Sequence, residues 1–303
     1  MVAVVLLVRQ IGLRALLSLV TRALPWMPAL LALELVRIVA ETIGTRAIAV
    51  AADDGARRLD WGAWFRMHLV ANAALVVLPA GRTICEGIKM ASISAATSAP
   101  RAAGIVVVQH AMTLLALAVI SVPCAIAAWT LGAPVIALAV SAHALLCGIG
   151  MVGMIVAARH AKIPAFAARW FVHAPDALVT FRETVRAAPW VAPGAFGAKL
   201  LNRVVQAVQY GILLVAVGGG GSAARAFHAD GVNLVGSALG EFMPAQVGAM
   251  DGSFAYAATS LGVTVAMAMA IATLARLTQL VWSAVGALVP VIVPTRAERP
   301  SAA

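Results

Sequence analysis

Long apolar runs separated by short polar stretches recur along the whole chain, and none alternates with a period of two. Only helices or closed barrels satisfy every backbone group in lipid. The continuous Leu/Ala/Val-rich runs fit helices of about 20 residues, the length that crosses a bilayer core, better than barrel strands. Residues 1–22 hold an apolar segment interrupted by Arg9, Gln10 and Arg14, which either spans the membrane or lies in its interface. Firmer spans are expected at 25–50, 61–79, 102–131, 134–158, 197–217, 227–243 and 262–293. That makes seven or eight crossings. Two further apolar segments, 84–98 and 249–261, are too short to cross and read as broken or re-entrant helices. Residues 51–60 form a polar loop, followed by Trp61 and Trp64, which are expected to anchor at the interface. The expected fold is therefore all-α: a polytopic transmembrane bundle with two short broken helices.

Each short segment is introduced by a similar stretch. The first is Pro79-Ala80-Gly81-Arg82-Thr83-Ile84-Cys85-Glu86-Gly87; the second is Pro244-Ala245-Gln246-Val247-Gly248-Ala249-Met250-Asp251-Gly252. A shift of 165 positions superposes the two Pro-Ala pairs, Glu86 on Asp251 and Gly87 on Gly252. This implies an internal repeat within one membrane domain, residues 1–303, with halves at about 1–131 and 132–293. Carboxylates in apolar sequence are costly, and matched broken segments in two halves point to a transporter's binding site. Gly248 and Gly252 also have the small-xxx-small spacing of close helix contacts.

Other charges fall inside the runs. Glu34, Arg37 and Glu41 share one helical face, so Arg37 can pair with either carboxylate; a structural ion pair is expected. Asn72 sits in the body of the third span. Arg82 precedes Glu86 by one turn and Lys89 follows on the same face. Mixed charge at a broken helix suits a lipid headgroup, because Arg forks a phosphate and carboxylates attract amines or carry protons. Residues 159–203 are rich in Arg and Lys and are expected to be the main cytoplasmic connection, partly an amphipathic surface helix.

Composition narrows the function. Apolar residues make up 62% of the chain and charged residues 11%, against roughly 45–50% and 25% in soluble domains. The net charge of +10 lies mostly between the runs, where it reads as positive-inside topology and contact with anionic lipid rather than nucleic-acid binding. Cys85, Cys124 and Cys147 are dispersed and odd in number, giving neither a disulfide framework nor a zinc site, and are expected to be small buried residues. His68, His110, His143 and His228 lack metal-site spacing, Gly218–Gly221 lacks a GK[ST] ending, and no GxSxG occurs. No metal, cofactor or nucleotide is expected, and an enzyme is less favoured than a transporter. The N-terminus lacks the basic flank of a cleaved signal and is expected to be retained.

At Asn72, Pro79, Arg82, Glu86 and Lys89, and again at Pro244, Gly248, Asp251 and Gly252, the chain resembles the transmembrane region of lysylphosphatidylglycerol synthases and their flippase-like relatives. The run 266–276 resembles that family's helix ending in Arg, here Arg276. Cys85 stands where the family usually has Gly, and Lys89 and Asp251 where Arg and Glu are commoner. Nothing after residue 293 resembles the synthases' soluble aminoacyl-transfer domain. The resemblance implies lipid translocation across the bacterial inner membrane, with Asn72, Arg82, Glu86, Lys89, Asp251 and Arg276 lining one central cavity and contacting an anionic or glycosylated headgroup. The alternatives are a lipid-modifying enzyme and an accessory or scaffold subunit beside a lipid-synthesis enzyme.

Overall fold

The computed structural model describes residues 13–160, 174–189, 191–243 and 246–292. No strand occurs among them. Helix α1 (Leu13–Ala23) passes through a single tight turn into α2 (Met27–Ala52). Asp60 accepts a hydrogen bond from the Ala63 N–H at 2.6 Å and so caps α3 (Trp61–Val77). The chain then breaks, with Ala80 in the left-handed region at φ 53°, and restarts as α4 (Gly81–Ser94). A Cβ on Gly81 would stand 2.4 Å from the Leu75 carbonyl oxygen, so this sharp reversal requires glycine. Next come α5 (Ala99–Thr130), α6 (Pro134–Arg159), α7 (Ala174–Ala187) and α8 (Pro193–Ala216). The chain ends in α9 (Ala223–Leu239), α10 (Ala249–Leu261) and α11 (Val265–Ile292).

Four apolar stretches are long enough to cross a membrane: Leu17–Ala52, Ala99–Thr130, Pro134–Arg159 and Val265–Pro290. The protein is a multi-pass membrane helix bundle. The sequence expectation of seven or eight crossings also counted α3, α8 and α9. Helices α3 and α9 have only 17 residues each. In α8, Lys199, Asn202, Gln206 and Gln209 dilute the apolar content, yet all four are buried within the protein.

The order long, 17-residue, short, long occurs twice, as α2–α5 and as α8–α11. Corresponding helices begin 166, 162, 168 and 166 residues apart. The break before α10 places Gln246 at φ 55°, close to the value at Ala80. Each 17-residue helix packs on the short helix of its own run and on the last helix of the other: α3 on α4 and α11, α9 on α10 and α5. Helices α2 and α8 pack directly against each other. The two runs are thus interlocked rather than placed side by side.

Two apolar cores result, and polar residues separate them along three helices. On α2, Leu30 belongs to one core and Ile48 to the other, with Glu34, Arg37 and Glu41 between. On α5, Ala102, Ile105, Val108, Ala111 and Met112 belong to one core and Leu117, Ile120, Cys124 and Ala128 to the other, with Gln109, His110 and Thr113 on another face where the two meet. On α8, Ala195 and Tyr210–Val217 bracket Lys199, Asn202, Arg203, Gln206 and Gln209.

Some sequence expectations change. Trp61 is exposed and stacks under Arg46 at 4.4 Å, whereas Trp64 is fully buried in the second core and anchors packing instead. A Cβ on Gly252 would meet nothing, so Gly252 makes no close helix contact; α9 approaches α10 through Gly236, beside Met250 and Ser253. In the basic stretch, α7 carries Arg182 and Arg186 against Asp176 and Glu183, while residues 161–173 lie outside those described. Lys199 and Arg203 belong to the interior, not to the cytoplasmic connection.

Helix α11 approaches α3 closely at Gly286. A Cβ on Gly286 would lie 2.1 Å from the Leu69 carbonyl oxygen, a backbone atom that cannot swing away. Gly286→Ala is expected to lower stability by about 1–3 kcal/mol, read as a lowered midpoint of thermal unfolding in detergent. Gly252→Ala, at an open helical position, is expected not to lower it.

Candidate functional site

The polar layer between the cores encloses a cavity of about 130 Å³. Its walls come from α2 (Glu34, Arg37, Glu41), α3 (His68, Asn72), α4 (Arg82, Glu86, Lys89), α5 (Gln109, His110) and α8 (Asn202, Arg203). A second chamber of about 390 Å³ shares Glu34, Arg37, Asn72, Leu75, Arg82 and Arg203 with it and extends to His143, Asn233, Ser237, Glu241 and Gln279.

Most charge within this layer is paired locally. The Arg37 guanidinium donates to Glu34 Oε2 at 2.7 Å and to Gln209 Oε1 at 3.3 Å. Gln209 in turn donates to Glu34 Oε2 at 3.0 Å and to the Leu30 carbonyl at 3.2 Å. Glu41 does not pair with Arg37. It accepts from Lys199 and from Gln109 Nε2 at 3.2 Å, and Lys89 Nζ stands 3.7 Å away. The three α2 charges therefore divide into one pair along the helix and one hub that joins α2 to α4, α5 and α8. Lys199, with 1% of its side chain exposed, is neutralised there.

On α4, Lys89 also donates to Glu86 Oε1 at 3.1 Å, and His110 Nδ1 lies 4.0 Å from the same oxygen. The other Glu86 oxygen, the Asn72 amide nitrogen and His68 Nε2 are buried without a hydrogen-bond partner among the described residues. Buried polar atoms are normally bonded, so these three atoms of the cavity lining retain capacity for a further hydrogen bond.

Asn72, Arg82, Glu86 and Lys89 come together as expected from the sequence. Asp251 and Arg276 do not join them. Asp251 accepts from Arg276 at 3.2 and 3.1 Å and from the Gly248 N–H at 3.0 Å, capping α10 and tying it to α11. Neither residue lines either chamber. A carboxylate at the third position of a helix can reach back to the N-cap N–H and satisfy it; Asp251 is used in this way. The two broken segments meet through a different pair, Arg82 Nε to Glu241 Oε1 at 3.0 Å. Pro244 and Ala245 of the second motif lie outside the described residues.

Lys199 and Arg203 fall where the expected basic connection, 159–203, overlaps the expected span 197–217, and the sequence does not single out His110; the structure puts Arg203 and His110 on the cavity wall and Lys199 on Glu41. Their signal was available: Lys199, Asn202, Arg203, Gln206 and Gln209 recur at helical spacing on one face. His228 is packed and bonded to Ser260 Oγ at 2.8 Å, as expected for a core histidine. Cys85, Cys124 and Cys147 are free and buried.

The hub makes a stability prediction. Glu41→Gln leaves Lys199 buried without its counter-charge and is expected to cost about 3–5 kcal/mol. Adding Lys199→Met should recover most of that loss, because both charges are then gone. Thermal unfolding of wild type, the single variant and the double variant in detergent reads the difference.

No curated protein and no solved structure matches the chain. A family model described as the lysylphosphatidylglycerol synthase TM region matches residues 1–286. With nearly its whole length matched, and with the apolar helices and polar layer described above, the chain belongs to the lysylphosphatidylglycerol synthase transmembrane-region family.

Proposed function

We propose that the protein translocates a lipid with a polar, phosphate-bearing headgroup between the leaflets of the bacterial inner membrane. The observation that carries this reading is a charged cavity with unsatisfied polar atoms, held between two apolar cores. Arg37, Arg82 and Arg203 line both chambers and present guanidinium groups suited to a phosphate. The Glu86 oxygen that lacks a partner would accept from an amine or hydroxyl, and the Asn72 amide would donate to a headgroup oxygen. Acyl chains would remain among the lipid-facing side chains, such as Leu138, Leu145 and Ile149 on α6. Lys89, neutralised by Glu86 and Glu41, orients Glu86 rather than contacting phosphate. Asp251 and Arg276 hold α10 against α11 outside the path.

Reconstitution into vesicles with a headgroup-labelled phospholipid tests this reading. Arg82→Gln and Glu86→Gln are each expected to slow transfer about tenfold, the loss of one charge-assisted hydrogen bond of about 1.4 kcal/mol. Asp54→Asn, in an exposed loop pair, should leave the rate unchanged. Unaltered transfer in both cavity variants would remove the cavity from the path. A lipid product of changed mass would replace translocation with enzymatic modification.

A further inference from the structure

Asp230 is the buried acid that the pairing described above leaves out. It lies on α9 with no exposed surface. Glu34, Glu41 and Asp251 each contact a cation. Asp230 forms no ion pair among the described residues. Its contacts are the Asn233 amide, donating to Oδ1 at 3.3 Å, and the Cys124 thiol, 3.9 Å from Oδ2. An ionised carboxylate at such a place is costly, and taking up a proton removes the cost.

The group is not sealed off from the cavity. Asn233 accepts from Ser237 Oγ at 3.3 Å, and both residues line the larger chamber. Asp230, Asn233 and Ser237 thus run as a hydrogen-bonded ladder along one face of α9, from the buried acid to the chamber wall. Arg203 on α8 and Arg37 on α2 line the same chamber as Asn233 and Ser237, and are the cations nearest this ladder across it. Tyr210 on α8 and Cys124 on α5 are the neutral ionisable groups beside Asp230, and His228 on its own helix is bonded to Ser260. Facing α9, α6 brings Val140 and α10 brings Met250 and Ser253. Arg37 is already neutralised by Glu34. Arg203 makes no ion pair among the described residues; it donates only to Gln206 Oε1 at 2.9 Å. It is the uncompensated cation of the chamber.

We propose that Asp230 is a proton-binding group coupled to the cavity, taking up a proton when an anionic headgroup enters beside Arg203. This rests on the translocation reading above and supplies it with an ion to couple to. An anion at Arg203 cancels the positive field that favours ionised Asp230, so the carboxylate gains a proton from water in the chamber. Linkage makes the effect reciprocal: protonated Asp230 strengthens anion binding by the same factor. Lipid anion and proton then occupy the protein together, and their charges cancel.

Binding of short-chain phosphatidylglycerol to the purified protein in micelles tests this, because its phosphodiester does not titrate in the range used. Calorimetry between about pH 5 and pH 8 in buffers of different ionisation enthalpy counts protons. Wild type is expected to take up a proton with each lipid and to bind more weakly as pH rises. Asp230→Asn should take up none and bind with an affinity independent of pH. Arg203→Gln, which leaves Asp230 in place, should bind weakly and also lose the uptake. Equal uptake in wild type and Asp230→Asn, or lipid binding by wild type without uptake, overturns the coupling. Failure of wild type to bind the lipid at any pH overturns the translocation reading instead. Infrared difference spectra of the lipid-free protein give an independent result, including for a poorly folding variant. A protonated-carboxyl band that titrates in wild type and in Arg203→Gln, and is missing from Asp230→Asn, is expected. Its absence from wild type at every pH overturns the assignment.

Discussion

Charge held between two apolar cores has to be neutralised where it stands, and this constraint arranges the rest of the protein. Glu41 meets it by gathering Lys199 and Lys89 from two other helices, together with the Gln109 amide from a third. Four helices are fixed relative to one another by one carboxylate. Such a hub adds less net stability than its short contacts suggest, since each charge first loses its hydration. What it provides is registry: a slip of any of these helices would strand a charge in an apolar layer. The same registry holds the cavity open, because Glu34, Arg37, Glu86 and Lys89 are kept at its wall by partners that cannot follow them elsewhere.

The two runs of helices share an order and near-equal lengths but have divided their tasks. In the first, the broken segment turns Arg82, Glu86 and Lys89 toward the cavity. In the second, Asp251 is committed to the start of α10 and to Arg276, and the ionisable residues facing the chamber come from α8 and from Glu241. Arg82 and Glu241 connect the two broken segments across the chamber. A pseudo-symmetric frame therefore surrounds an asymmetric site. Guanidinium groups line the chambers from α2, α4 and α8, and the buried acid Asp230 lies on α9.

The fold class was legible in the order of residues along the chain. Runs of Leu, Ala and Val too long for soluble helices demand a membrane, and the Pro79 break with Gly81 leaves a helix too short to cross. These are local properties: hydrophobic length and backbone sterics act within a few turns and need no partner. Asn72, Arg82, Glu86 and Lys89, which line the cavity, also stand out this way, since a polar side chain inside an apolar run is conspicuous wherever it lands.

Which charge meets which was decided only by packing. Glu34 and Glu41 stand at equal claim to Arg37 on one helical face, and the choice fell to Gln209 and Lys199, more than 150 residues away in sequence. Lys199 and Arg203 sit at the end of a basic stretch and look hydrated until α8 packs on α2. Asp251 matches Glu86 in sequence yet caps its own helix and pairs with Arg276, a partner that only the packing of α10 on α11 brings to it. Sequence records how costly each residue is to bury; only the tertiary structure determines which partner removes that cost.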